Sequence, residues 1–93
     1  MMEEKAKKIA ELLKILANEN RLLILCALIK SPLTVGEIHA YTPNITQSAL
    51  SQHLNLLKTA GIVDAEKAGM NVVYSLADER VIALIDALKE HYC

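Results

Sequence analysis

The chain has no phenylalanine or tryptophan and only three tyrosines among its 93 residues, so its core must be aliphatic. A core of that size suits one domain, read here as residues 1–93, and gains from oligomerisation. No internal repeat, low-complexity tract or linker interrupts it. Neither a glycine-rich phosphate loop nor a nucleophile, base and orienter at recognisable spacing is found, which argues against an enzyme and calls for no cofactor. Residues 1–4 have no apolar segment of signal-peptide type behind them, and the apolar run 22–29 is far too short to cross a bilayer. The expected location is therefore cytoplasmic. Ten basic against eleven acidic residues leave a net charge of −1, too little cationic character to hold nucleic acid by bulk electrostatics. The distribution matters more than the sum, because residues 38–63 contain no Asp or Glu at all.

That acid-free region includes the most informative stretch, QSALSQHLNLLKTAGIV at 47–63. On a helical period Ser48, Ser51, Gln52 and Asn55 share one face, while Leu50, Leu54 and Leu57 form the opposite stripe. A plain solvated face would be rich in Glu and Lys. Short hydroxyls and amides suit a DNA major groove, where Gln or Asn can pair with adenine and Ser can reach bases or phosphates. An ordinary polar solvent face is the competing reading, and the flanking elements weigh against it.

Upstream, Thr34-x-x-Glu37 is a capping box that starts a short helix, and Pro32 stops the helix before it. Pro43 biases Thr42 away from helix, so 42–46 is a turn, with Asn44 or Thr46 as the cap of the next helix. Downstream, Gly61 ends that helix, and two β-prone runs, 62–63 and 72–76, flank a loop containing Gly69. Helix, turn, helix and hairpin make a winged helix-turn-helix: mainly α with a β-hairpin wing, the recognition helix near 46–59 and the wing near 62–76.

The first helix, near 3–17, places Ile9, Leu12, Leu13 and Leu16 on one side. The second, near 20–30, is apolar all round and should be buried centrally. The last begins at Ala77 or Asp78 and carries Val81, Leu84, Ile85, Leu88 and Tyr92 at helical spacing. The first and last helices carry more apolar surface than so small a fold can cover, which points to a homodimer through them. The expected DNA contacts are Thr46, Gln47, Ser48, Ser51, Gln52 and Asn55 on the recognition helix, Lys58 at its end, and Lys67 and Asn71 in the wing. His39 reads as a surface residue and His53 as a packing or phosphate-contacting one. Cys26 reads by itself as a small buried hydrophobe, and Cys93 as a terminal residue.

Leu16-Ala-Asn-Glu-Asn-Arg-Leu-Leu-Ile-Leu25, the 47–63 segment and the hairpin ending Tyr74-Ser-Leu76 resemble the ArsR/SmtB family of small dimeric winged-helix repressors, over almost all of residues 9–93. The resemblance implies an α-α-(β)-α-α-β-β-α fold, dimerisation by the first and last helices, binding to an inverted-repeat operator in double-stranded DNA, and release by a metal or a thiol-modifying ligand. The family's cysteine-rich metal motif would fall at the helix opening near Val35, where this chain has no Cys. Its other metal site, on the last helix, is met only by Asp78 and His91, and the expectation is no metal. Cys26 and Cys93 match the two cysteines of the family's sulfide- and persulfide-sensing subgroup, the biofilm growth-associated repressor type. What this implies is a redox-sensing pair whose oxidation or persulfidation by reactive sulfur or an oxidant releases DNA. A metal-responsive repressor with an unrecognised site, or a winged-helix module that binds protein, are the alternatives.

Overall fold

The computed structural model describes residues 2–92. Its elements are helices α1 (Met2–Leu16) and α2 (Glu19–Leu28), strand β1 (Leu33–Thr34), helices α3 (Val35–His39) and α4 (Gln47–Thr59), strands β2 (Val63–Ala68) and β3 (Asn71–Leu76), and helix α5 (Glu79–Tyr92). Each helix start has a local chemical cause. Asn18 caps α2 by accepting from the Arg21 amide at 3.1 Å, which begins that helix slightly earlier than its apolar run suggests. The Thr34 amide donates to Glu37 Oε1 at 2.9 Å and the Glu37 amide to Thr34 Oγ1 at 3.3 Å, completing the capping box of α3. Of the two candidates for the α4 cap, Thr46 takes the role, accepting from the Ala49 amide at 3.1 Å.

The end of α4 is a Schellman motif. Gly61, at φ +76°, donates to the Lys58 carbonyl at 3.0 Å, and the Ile62 amide donates to the Leu57 carbonyl at 2.9 Å. Ile62 and Leu57 are both fully buried, so the motif also aims the chain into β2. The strands β2 and β3 pair antiparallel from Val63 opposite Leu76 to Ala68 opposite Asn71. Gly69 and Met70 therefore form a two-residue turn, and Gly69 supplies the positive φ of 63° at its first position. β1 joins the other side of β3, with Leu33 opposite Tyr74, to give the order β1-β3-β2. At two residues β1 has no readable periodicity of its own, and the sequence shows there only the capping box that follows it.

The core is aliphatic: Leu16, Ile24, Leu25, Leu28, Ile38, Leu50, Leu54, Leu57, Ile62, Val63, Val81 and Ile85. α2 is apolar all round in sequence but not buried all round. Ile24, Leu25, Ala27 and Leu28 face the core, whereas Cys26 and Leu22 are half-buried and Leu23 is exposed. The two end helices differ in the same respect. α5 commits Val81 and Ile85 to the core and leaves Ile82, Leu84 and Leu88 half-buried, while α1 buries only Leu16 and exposes Met2, Ile9 and Leu13. The surplus apolar surface thus lies mainly on α1. The Tyr92 side chain and Cys93 lie outside the described residues.

Candidate functional site

Leu50, Leu54 and Leu57 have no exposed surface, and they fix α4 against the rest of the chain. The opposite face then follows from helical spacing. Gln47, Ser48, Ser51, Gln52 and Asn55 are all exposed, as are Thr46 at the cap and Lys58 in the last turn. The first turn of α4 carries no acid, so its positive dipole end stands without a competing carboxylate. Gln52 and Asn55 border one shallow depression with Ile15, Leu56, Thr59 and Ala60, which brings two of the amides expected to read bases together. Leu56, itself partly exposed, lies beside them and went unnoticed in the pattern of polar residues.

Lys67 and Asn71 are exposed on the hairpin, on either side of the turn. Met70 at the tip is fully exposed. Lys67 shares its depression with Glu66, Pro32 and Val73, so a carboxylate stands near the cation proposed to meet phosphate. The expected contacts thus fall into an amide and hydroxyl set on α4, the Lys58 cation in its last turn, and a pair on the wing.

Two histidines have more definite places than the sequence suggests. His39 is not a plain surface residue: it is half-buried, and its Nε2–H donates to the Ile45 carbonyl at 2.8 Å, closing the turn between α3 and α4. His53, on α4, is half-buried, and its Nδ1 lies 3.4 Å from Arg21 Nη1. Partial burial holds its pKa below the ordinary imidazole value, and the adjacent Arg21 charge lowers it further. Arg21 also donates from Nε to the Ile15 carbonyl at 2.6 Å. Nothing in the segment around Arg21 reveals a contact 32 residues away.

Cys26 borders a groove of about 570 Å³ between α2 and α5, among Leu22, Leu23, Ile85 and Leu88, with Lys30 and Lys89 also lining it. It is not a free thiol: it is disulfide-bonded. Cys93, the expected second member of the pair, lies outside the described residues. On the last helix, Asp78 is occupied by its neighbours, since Oδ1 accepts from the Arg80 amide at 2.9 Å and Oδ2 pairs with Arg80 Nη2 at 2.6 Å. Among the described residues no three His, Cys, Asp or Glu side chains group to hold a metal, and no helix is long and apolar enough to cross a membrane.

A three-stranded sheet beside a helix-turn-helix whose second helix exposes an acid-free polar face is the architecture of a DNA-binding module of winged-helix type. The chain belongs to the arsR family of bacterial regulatory proteins, whose family model matches residues 18–65. It is 44% identical over 92 residues to the transcriptional activator HlyU of Vibrio cholerae, covering 99% of this chain and 84% of that protein. It is 40% identical over 92 residues to the biofilm growth-associated repressor of Agrobacterium fabrum, covering 99% and 78%. The solved structure of reduced HlyU from Vibrio cholerae superposes with a TM-score of 0.91 at 43% identity, covering 99% of this chain and 96% of that one. A homodimeric winged helix-turn-helix DNA-binding domain from Mycobacterium bovis superposes at 0.80 with 29% identity, covering 96% and 82%. The protein is accordingly a DNA-binding transcriptional regulator and not an enzyme.

Proposed function

We propose that the protein is a homodimeric repressor, one winged-helix domain per chain, that holds an inverted-repeat operator while Cys26 and Cys93 are reduced and leaves it when they are linked. The observation that carries this reading is the place of Cys26. It is half-buried and disulfide-bonded, and from the central helix it lines a groove against α5, the helix that buries Val81 and Ile85. A link between Cys26 and Cys93, which follows α5 in the sequence, ties the central helix to the last one, two elements whose relative position sets the geometry of the proposed dimer. The named sense of the relatives differs, one being an activator and the other a repressor. The match of both cysteine positions to the biofilm growth-associated type favours repression.

The chemistry balances without a cofactor. A thiolate attacks the outer sulfur of an organic persulfide and releases its thiol, leaving a cysteine persulfide. The second cysteine then displaces hydrogen sulfide to form the disulfide. Two protein thiols and one persulfide thus give one disulfide, one thiol and one hydrogen sulfide. With peroxide the two thiols lose two hydrogens, and water is the product. Because Cys26 is half-buried, Cys93 reacts first and Cys26 resolves.

Dimer formation is supported by α1. A helix of 15 residues that buries only Leu16 is marginal in water by itself, so a second copy covers the side bearing Ile9 and Leu13. On each protomer Gln47, Ser48, Ser51, Gln52 and Asn55 address base edges. Thr46, Lys58, Lys67 and Asn71 serve the backbone. The test uses a duplex selected from a random pool by the reduced protein. Wild type should release it on treatment with an organic persulfide, whereas Cys26→Ser and Cys93→Ser should bind when reduced and not release. Release by the double variant refutes the thiol switch.

A further inference from the structure

One guanidinium joins three helices. Arg21 lies in the first turn of α2, its Nε donates to the Ile15 carbonyl in the last turn of α1 at 2.6 Å, and its Nη1 meets His53 Nδ1 of α4 at 3.4 Å. A guanidinium can only donate, so Nδ1 must offer a lone pair and the ring is neutral, with its proton on Nε2. His53 directly follows Gln52 and stands two residues before Asn55, both on the exposed face. Leu50, Leu54 and Leu57 are the apolar anchors of α4 and set which face it buries. The contact at position 53 adds a directional polar anchor beside the residues of the exposed face.

We infer that Arg21 and His53 are positioning residues for the DNA-reading face, forming a clip between α1, α2 and α4 that a proton on His53 Nδ1 opens, so that acidification lowers discrimination among DNA sequences. The inference rests on α4 being the reading face and adds a regulation of it. Protonation takes one proton from solvent and turns Nδ1 from acceptor to donor. Arg21 then faces a second cation with no lone pair between them. The charge acting on the ring is that of Arg21 from α2, and no carboxylate from any element is among the groups that shift it. Burial and Arg21 both favour the neutral ring, so the clip stays closed at neutral pH and opens below the ordinary imidazole range. Because Ile15 belongs to α1, the same clip connects the helix that meets the partner copy to the helix that meets DNA.

The test measures affinity for the selected duplex and for random duplex at constant salt, from about pH 7.5 to about pH 4.5, so as to pass well below the ordinary imidazole value. In wild type the ratio of the two affinities should fall by about fivefold or more, the scale of a modest allosteric coupling. His53→Gln keeps an acceptor for Arg21 and does not titrate. It should therefore keep the neutral-pH ratio and lose its pH dependence. By NMR the His53 ring should titrate below the ordinary value in wild type and move up in Arg21→Met. A purely structural role would lower affinity equally at every pH. An unchanged pH profile in His53→Gln, or a His53 ring that titrates at or above the ordinary value in wild type, overturns the clip even if Arg21→Met fails to fold. Failure of the wild type to bind any duplex would instead refute the reading face, while the NMR titration still decides the contact.

Discussion

Replacing Ile9 and Leu13 with Ser should dissolve the proposed dimer while leaving each subunit folded. Both side chains are about half exposed in the single chain, at 52% and 48%, so neither supports the core. Full burial of such a side chain contributes about 1.5 to 3 kcal/mol, so covering the remaining half contributes about 1 kcal/mol each. With both residues on both copies the loss is about 4 kcal/mol, or roughly a thousandfold in the dimer dissociation constant. Within the subunit Ser is about as good a helix former as Ile and slightly worse than Leu, so the main cost is the half of each side chain already covered there, about 1 kcal/mol per site, which a folded subunit can bear. Deleting α5 would be a poor alternative, because Val81 and Ile85 are core residues and the chain would unfold with them. Sedimentation equilibrium gives the dissociation constant, thermal melting at low concentration gives the subunit's stability, and anisotropy on a two-half-site duplex gives the functional consequence. A double variant that dimerises as tightly as wild type would refute the placement of the interface on this side of α1.

Other expectations follow from single side chains. Gln52→Ala and Asn55→Ala should each cost roughly 1 to 3 kcal/mol on the selected duplex and relax base preference, whereas Lys58→Ala should weaken all duplexes alike, as comparison with random DNA by anisotropy will show. Leu54→Ala removes a fully buried side chain from under the reading face and should cost about 2 to 5 kcal/mol by urea denaturation. Asp78→Asn should weaken the start of α5 and flatten the acid limb of stability. Hydrogen bonding from the Arg80 side chain holds the Asp78 carboxyl below its ordinary value, so its contribution is complete above that value and fades as pH falls through the lowered one. Melting curves of both proteins between about pH 2 and about pH 6 will show whether the difference vanishes in acid.

Local chemistry determined much of this protein by itself. The Thr34 and Glu37 capping box, the glycine stop at Gly61 and the hairpin glycine at Gly69 are short-range devices whose partners lie within a few residues, so the order of helix, turn, helix and wing is legible from sequence. The reading face is legible for the same reason, since the 3.6-residue period that buries Leu50, Leu54 and Leu57 must expose Ser48, Ser51, Gln52 and Asn55. What tertiary structure decided is where local pattern is silent or ambiguous. α2 reads as apolar on every side, and only packing shows that Leu23 and Cys26 border a groove while Ile24 and Leu25 enter the core. α1 and α5 look alike as amphipathic helices, yet α5 gives the core both Val81 and Ile85, whereas α1 gives it only Leu16. Strand β1 exists only because β3 offers its edge to Leu33 and Thr34. The contact of Arg21 with His53 joins positions far apart in the chain, and no periodicity carries that information, because it depends on how α2 and α4 cross.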